Sequence, residues 1–178
     1  MEAEREKELI QQVLQGDTAA FALLVDAHKD HVFNLVVRVV QQRAWAEELC
    51  QDVFIKAYQQ LAKFKQNARL STWLFRIAYN TAVSALRKAQ LPTYEMNENH
   101  RQIEEENVQD EKEALLLSLQ NAIAQLSAEE SALITLFYNE DKSVEEIAHI
   151  TRLSVANIKV KLHRTRLKLK MIMEQPKK

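Results

Sequence analysis

The chain has 178 residues, enough for one ordinary domain or two small ones without disulfides. Its only cysteine, Cys50, excludes an intramolecular disulfide or a CxxC metal site and favours a reducing, cytoplasmic location. The N-terminus is charged where a signal peptide is apolar, and no apolar run approaches the roughly twenty residues of a membrane span. We therefore expect no membrane insertion. One Gly and two Pro predict an all-α fold.

The net charge of −1 conceals three segments of different character. Residues 1–90 carry +2, residues 91–113 carry −6 and residues 114–178 carry +3. The middle segment has Pro92 near its start, few apolar residues and no sustained helical period, which predicts an acidic linker. The alternative is a solvated loop inside a single domain, which is less common at this length. The sequence thus predicts two small helical domains, 1–90 and 114–178.

The first predicted domain has apolar residues at three- and four-residue spacing, which is typical of amphipathic helices that pack on one another. Gly16 and Asp17 separate the first pair of helices. Ser71 and Thr72 are predicted to cap a last helix that runs from Trp73 to about Lys88.

The second predicted domain ends in a helix-turn-helix pattern. Ser143 and Glu146 form a capping-box pattern, Thr151 to Leu153 is the predicted turn, and Ser154 can cap a helix that runs to about Met173. At 100° per residue, four positions of that last helix form a buried stripe: Ile158, Leu162, Thr165 and Leu169. The residues predicted to face away are Ala156, Lys159, Val160, His163, Arg164 and Leu167, with Lys161 and Arg166 on the flanks.

The last helix is strongly basic. Between Lys159 and Lys170 there are six Lys or Arg, one His and no acid, which creates a positive field suited to phosphates. A solvated charged face is the alternative, but in a chain this rich in Glu such a face would interleave both signs. We predict that this helix lies in the DNA major groove.

A second basic segment, from Leu61 to Lys88, also lacks acids and carries several aromatic rings. Its cations are Lys63, Lys65, Arg69, Arg76, Arg87 and Lys88, and its rings are Phe64, Trp73, Phe75 and Tyr79. Cationic grooves with stacking rings hold unpaired bases. Rings at helical spacing are equally common in a core, and Phe75 and Tyr79 fit that interpretation. Spacing alone leaves both interpretations open.

Catalytic and metal sites have little support. His28 and His31 are i, i+3 neighbours, but no third ligand is implied and the segment is typical of an ordinary helix surface. There is no Gly-rich phosphate loop, and Cys50 lies beside Leu49 and Val53 in an amphipathic helix, where an unreactive core thiol is expected. We predict no catalytic residue, no metal and no other cofactor, and hence no enzyme.

Four motifs resemble those of the extracytoplasmic-function (ECF) sigma factors, the smallest proteins of the sigma-70 family. Three of them resemble the sigma-2 domain in order and spacing: Gly16-Asp17-x-x-Ala20-Phe21, the segment Ala46 to Tyr58 (AEELCQDVFIKAY), and Thr72-Trp73-Leu74-x-Arg76-Ile77-Ala78-x-Asn80. The fourth resembles the sigma-4 domain: Ser143-x-Glu145-Glu146-Ile147-Ala148 followed by Ile158-Lys159-x-Lys161-Leu162-x-Arg164-x-Arg166. The resemblance spans nearly the whole chain and leaves no room for an N-terminal autoinhibitory region or a folded sigma-3 domain.

The resemblance implies an alternative sigma factor that directs RNA polymerase to specific promoters and helps to melt them. It implies that a helix from Ala44 to Tyr58 docks on the clamp coiled coil of the polymerase core, with the flap as a further contact. The residues expected to bind polymerase are Glu48, Gln51, Asp52, Phe54 and Ile55. The alternative for Phe54 and Ile55 is a place in the core. An anti-sigma factor is the other partner that the resemblance implies.

Two promoter elements are implied as DNA targets. The loop from Lys65 to Leu70 would bind a base flipped out of the minus-ten element. This binding would offset the few kcal/mol that unstacking the base costs. The residues expected there are Phe64, Lys65, Gln66, Asn67, Ala68, Arg69, Trp73, Arg76 and Asn80. For the minus-thirty-five element they are Asn157, Lys159, Val160, Lys161, His163, Arg164 and Arg166. Lys159, His163 and Arg164 are expected to contact base edges, and Lys161 and Arg166 phosphates.

The chain departs from the family pattern at two positions. Arg152 stands where the helix-turn-helix turn usually has Gly, so the turn must avoid positive φ or strain Arg152. Asn157 replaces a usual Thr. Two rival hypotheses remain. A two-domain helix-turn-helix regulator acting without the polymerase core should bind palindromic duplex by itself as a dimer. A small helical enzyme should have convergent polar groups in a pocket.

Overall fold

The computed structural model describes residues 3–89 and 111–174. All regular structure in these two ranges is helical, which confirms the predicted all-α class. Within them, no helix is long and apolar enough to cross a membrane. The acidic linker predicted over residues 91–113 lies outside the described residues, apart from its last three positions, which begin a helix.

The first half of the chain is a bundle of four helices: α1 (Ala3–Leu14), α2 (Thr18–Val40), α3 (Arg43–Gln60) and α4 (Leu70–Ala89), with a 3-10 turn at Leu61–Lys63. Gly16 and Asp17 separate α1 from α2, as the sequence predicts. Gly16 takes a positive φ of 101°, and the Asp17 carboxylate accepts from the amides of Ala19 and Ala20 as the N-cap of α2.

The second half contains α5 (Glu111–Ala124), α6 (Ala128–Ile134), a π-helical turn (Thr135–Asn139), α7 (Val144–Thr151) and α8 (Val155–Glu174). Both α6 and α7 begin with a complete capping box. The predicted box of Ser143 and Glu146 is confirmed, and Ser127 with Glu130 forms a second one at α6. The Ser154 hydroxyl accepts from the Asn157 amide and so caps α8.

The start of α4 corrects one prediction. The helix begins at Leu70, so Ser71 and Thr72 lie in its first turn instead of capping a helix that starts at Trp73. The Trp73 amide already donates to the Arg69 carbonyl at 3.2 Å, so the first helical turn precedes Trp73, and Leu70 in that turn is buried in the core. The hydroxyls of Ser71 and Thr72 bond instead to side chains of the second half.

The two halves pack against each other. Apart from Ala122, the buried apolar residues of both belong to one contiguous cluster, which includes Leu35 and Phe75 of the first half and Leu133, Leu136 and Ile147 of the second. Helices α2 and α4 provide the contact surface of the first half, and α6, the π-helical turn and α7 provide that of the second. Side chains such as Leu35 gain about 1.5 to 3 kcal/mol each on burial, so this shared cluster is a substantial part of the fold's stability.

Candidate nucleic-acid interface

Helices α7 and α8 form the predicted helix-turn-helix, and the turn between them settles the question raised by Arg152. Arg152 adopts the left-handed conformation, with φ 63° and ψ 23°, and its amide donates to the Ala148 carbonyl at 2.9 Å. A non-glycine residue in this region costs about 1 to 2 kcal/mol. The turn therefore ends α7 with the left-handed C-cap that glycine usually supplies, and the strain falls on Arg152.

The buried stripe of α8 is confirmed. Ile158, Leu162 and Thr165 are almost completely buried, and Leu169 is half-buried against the same core. The Thr165 hydroxyl donates to the Lys161 carbonyl one turn earlier, so its burial leaves no polar atom unpaired. This stripe fixes the rotation of α8 and thereby decides which residues face outward.

The outward face of α8 presents most of the residues expected at the minus-thirty-five element. Asn157, Lys159, Val160, His163, Arg164 and Arg166 are exposed, and Lys161 is half-buried. Lys159 and His163 are one helical turn apart, and Arg164 follows, so their side chains project from one face of the helix. That face is open to solvent in the structure.

Three cations on the flanks of α8 already have partners in the chain. Lys161 Nζ donates to Glu129 Oε2 at 2.8 Å, and Lys168 Nζ donates to Glu130 Oε2 at 2.7 Å. The Arg166 guanidinium lies over the rings of Phe137 and Tyr138, 5.3 and 5.6 Å from their centroids. Any phosphate that Lys161 or Arg166 grips has to compete with these contacts.

A second candidate surface surrounds the loop that precedes α4. Phe64 and Trp73 pack with their ring centroids 5.1 Å apart, and both rings remain half-exposed. In the loop, Lys65, Gln66, Asn67 and Arg69 are exposed and Ala68 is half-buried. Gln66 takes a positive φ of 53°, which turns the backbone at the tip of the loop. Cations and partly open rings therefore lie together, as binding of unpaired bases requires.

Two other residues expected at the minus-ten element are engaged within the chain. Arg76 Nη1 lies 3.3 Å from His149 Nε2 of α7. The Asn80 amide donates back to the Arg76 carbonyl of its own helix at 2.7 Å. Phe75 and Tyr79 are buried, which confirms their interpretation as core residues. Burial, with Glu129 nearby, also raises the pKa of Tyr79.

The candidate polymerase-binding face lies along α3. Glu48, Gln51 and Asp52 are exposed, and Ile55 is 54% exposed, so it has no place in the core. Phe54 is half-buried and packs against the core, as its alternative interpretation holds. Tyr58, three residues after Ile55 on the same face, is also exposed. The spacing of Ile55 and Tyr58 was the signal that could have added Tyr58 to the predicted face.

The two histidines considered for metal binding contact carboxylates of the chain. His28 Nε2 lies 3.0 Å from Glu6 Oε1 and ties α1 to α2, and His31 Nδ1 lies 2.8 Å from Glu140 Oε2. Burial, with a smaller effect of Glu47, raises the pKa of the Cys50 thiol to about 11, which disfavours the thiolate form at neutral pH.

Sequence reasoning missed the residues that join the two halves. They are Ser71 and Thr72 on α4 and Lys142 and Glu146 at the start of α7. These partners are about seventy residues apart in the sequence, and nothing in the local pattern of either segment signals the other.

These surfaces define a class of protein: an all-helical DNA-binding protein with a helix-turn-helix in its second half and a basic, ring-bearing loop in its first. A family model described as sigma-70 region 2 matches residues 24–91, and one described as sigma-70 region 4 matches residues 112–169. Among curated proteins, the ECF RNA polymerase sigma factor SigW of Bacillus subtilis is 34% identical over 173 residues, which cover 90% of this chain and 92% of the relative. The RNA polymerase sigma-H factor of Pseudomonas aeruginosa is 29% identical over 92% of this chain and 91% of its own length. The chain belongs to the ECF sigma factors of the sigma-70 family.

Solved structures show the same fold. CnrH, in its complex with the cytosolic domain of CnrY, matches with a TM-score of 0.70 at 21% identity, over 96% of this chain and 97% of that one. RpoE of Bartonella quintana, in a co-crystal with the anti-sigma factor NepR, matches with a TM-score of 0.67 at 21% identity, over 88% and 98%.

Proposed function

We propose that this chain directs RNA polymerase to a particular class of promoters and starts transcription there by recognising and melting the DNA. The observation that carries this proposal is the presence of sigma-70 regions 2 and 4, in that order, in the two parts of the chain that present the basic surfaces. We assign residues 1–90 to polymerase binding and the minus-ten element, residues 91–113 to an acidic linker and residues 114–178 to the minus-thirty-five element.

At the minus-ten element, the loop of residues 64–69 captures an unpaired base of the non-template strand. The half-exposed rings of Phe64 and Trp73 supply stacking surface, and Lys65 and Arg69 attract the backbone. Because these rings can stack only on a base that has left the duplex, this site stabilises the melted state and not the duplex. Asn80 also contributes to this site: its side-chain amide gives up the hydrogen bond to the Arg76 carbonyl and donates to a base edge instead.

At the minus-thirty-five element, α8 enters the major groove. Lys159, His163 and Arg164 contact base edges because they lie opposite the buried stripe. Lys161 and Arg166, on the flanks, grip phosphates after leaving Glu129 and the two aromatic rings. Contacts to base edges thus set the sequence preference, and phosphate contacts by the flanking cations set the affinity for DNA of any sequence.

The exposed face of α3 docks on the clamp coiled coil of the polymerase core, and the second half reaches the flap. Glu48, Gln51 and Asp52 supply polar contacts, and Ile55 and Tyr58 supply apolar area that is open to solvent in the free chain. The chemistry of RNA synthesis belongs to polymerase, so the chain itself catalyses nothing. It acts in the cytoplasm, and its activity is restrained by an anti-sigma factor, the class of partner in the RpoE co-crystal.

Run-off transcription with purified core polymerase tests this proposal. Addition of the chain should produce transcripts of defined length from cognate promoters, and core polymerase alone should produce none. A chain that gives no transcript but binds palindromic duplex as a dimer in the absence of polymerase would support the rival regulator instead.

A further inference from the structure

An apolar side chain lies at the centre of the basic outward face of α8. At about 100° per residue, Val160 lies about 160° from both Ile158 and Leu162, so it points almost directly away from the core that these two residues enter. His163 and Arg164 lie on either side of it. Val160 is 47% exposed although its side chain carries no polar atom. The residue best placed to reach the floor of a DNA groove is therefore apolar.

The folded chain itself draws little stability from a valine at this position. Among the described residues of α8, it is Ile158, Leu162 and Leu169 that pack in or against the core. A β-branched side chain loses rotamer freedom in a helix, so valine is a poorer helix former than alanine or lysine. Val160 thus supports neither the core nor the helix, and its exposed methyl groups are available to a partner outside the chain.

The charge of α8 and the chemistry of the major groove together identify the group that Val160 can contact. Six Lys or Arg and no acid between Lys159 and Lys170 favour a polyanion as the partner of this helix. In the major groove, the base pairs present hydrogen-bond donors and acceptors, and the one methyl group among them is the C5 methyl of thymine. A valine at the floor of that groove can bury its own methyl groups against this one.

We propose that Val160 selects thymine in the minus-thirty-five element: its side chain packs on the C5 methyl of a thymine, while His163 and Arg164 contact the polar edges of adjacent bases. This inference rests on the proposed function and deepens it by naming one base of the sequence that α8 recognises. Val160 is then a specificity-determining residue, because burial of one methyl group distinguishes thymine from the other three bases. Since no phosphate is involved, this contact leaves the salt dependence of binding unchanged.

The test removes the thymine methyl group and leaves the rest of the base pair unchanged. Holoenzyme, assembled from core polymerase and the full-length chain, first selects bound duplexes from promoters with a randomised minus-thirty-five region. At least one position should be strongly enriched in thymine on one strand. Deoxyuridine then replaces thymidine at each such position in turn, which keeps every hydrogen-bonding group of the pair. At one position this should weaken holoenzyme binding about fourfold, the effect expected for the loss of one buried methyl group.

Variants of α8 show whether Val160 is the side chain that senses the methyl group. Val160→Ala should bind the thymidine and deoxyuridine templates equally, whereas Val160→Ile keeps the apolar contact and should retain the preference for thymidine. Leu167→Ala is the matched control: Leu167 is 48% exposed on the same side of α8 but lies about 10 Å further from the start of the helix, so this variant should keep the fourfold difference. Denaturant titration should show that Val160→Ala is at least as stable as wild type, because alanine is the better helix former.

The inference is overturned if Val160→Ala still distinguishes the two templates, because the preference then arises from DNA shape. It is overturned equally if selection enriches no thymine or if wild type binds both templates equally. Run-off transcription by the same holoenzyme is the separate test of the proposed function. Transcripts without a methyl preference would contradict the role of Val160 alone. If no transcripts form, the proposed function fails, and the selection and the methyl comparison are repeated with the free full-length chain: a fourfold preference there supports the role of Val160, and indifference overturns it.

Discussion

Helices α8 and α4 carry the two candidate DNA surfaces, and they differ in how much of each surface is free. The outward face of α8 is exposed along Lys159, His163 and Arg164. On α4, the first turn is covered by α7, and Arg76 is held by His149. The α8 residues proposed to contact duplex are therefore open to solvent, whereas Arg76 and the first turn of α4 are engaged with α7.

The largest expected effect is on promoter opening and concerns the loop that precedes α4. Replacing Lys65 to Arg69 with Ser and Gly removes the cations and the ordered backbone that hold a flipped base, so detectable promoter opening should be lost. Leu70 is left unchanged because it is buried. Permanganate footprinting of the minus-ten region measures opening, and gel-shift assays of the holoenzyme measure duplex binding. If the footprint is unchanged, the loop is only a connector and the contrast with α8 disappears.

Charge reversal on α3 should have the next largest effect. Asp52→Lys should weaken binding to core polymerase by about 3 kcal/mol because it reverses the charge of a side chain that is proposed to make a polar contact in the interface. Folding should be unaffected, since Asp52 is exposed. The matched control is Asp26→Lys on α2, also exposed, which should leave polymerase affinity unchanged. Equal affinity of wild type and Asp52→Lys in a polymerase titration would remove α3 from the interface.

On α8, loss of a base contact should alter sequence preference. Arg164→Ala should cost about 1 to 3 kcal/mol at the cognate minus-thirty-five sequence and flatten the preference at one or two positions. The measurement uses full-length holoenzyme on a set of single-base promoter variants, because the shared core of the two halves gives no support for studying residues 114–178 in isolation. A uniform drop in affinity with full preference retained would mean that the faces of α8 are assigned wrongly.

Loss of a phosphate contact should have a smaller and different effect. Lys161→Ala should weaken all sequences about equally and reduce the salt dependence of binding by about one unit of slope. The effect is limited because Lys161 must first leave Glu129. Glu129→Gln is the informative partner variant, since it frees Lys161 and should strengthen duplex binding slightly. A change in sequence preference in Lys161→Ala would contradict a phosphate role.

The smallest effect concerns the pH dependence of stability at α7. Burial alone would raise the pKa of Glu146, but its bonds from the Ser143 amide, from Thr72 and from the Ser143 hydroxyl, with the charge of Lys142, lower the pKa below its ordinary value of 4.5. A lowered carboxyl pKa contributes stability above about pH 4.5, and this is lost as the pH falls through the folded-state value. Glu146→Gln should reduce that acid sensitivity, and Glu145→Gln should not. Denaturant titrations at pH 7 and at pH values below 4.5 provide the measurement.

The elements that sequence predicted best are those with a local cause. The buried stripe of α8 follows from the period of the helix, and the N-cap at Ser143 follows from the carboxylate three residues later. The class of protein follows from the order of the motifs. The same logic would have found the box of Ser127 and Glu130. The sequence did not decide whether Arg152 would have a positive φ, because a strained backbone conformation persists only where the surrounding fold stabilises it.

What sequence could not predict is the contact between the halves. Thr72 and Glu146 are 74 positions apart, and each has an adequate local explanation as a helix-start residue. Ser71 and Thr72 were predicted as caps for that reason. Only the packing of α7 on α4 shows that their hydroxyls bond across the molecule.

The main difference proposed between the two surfaces is that the α4 surface acts on melted DNA and the α8 surface acts on duplex. Run-off transcription with core polymerase on two templates tests it directly: one fully paired promoter, and one whose minus-ten region is held open by mismatches. The variant with residues 65–69 replaced should be inactive on the paired template and substantially restored on the open one, because the mismatches supply the unstacking energy. Arg164→Ala should be impaired on both. Restored transcription by Arg164→Ala on the open template, with no gain for the loop variant, would rule out this division of roles between α4 and α8.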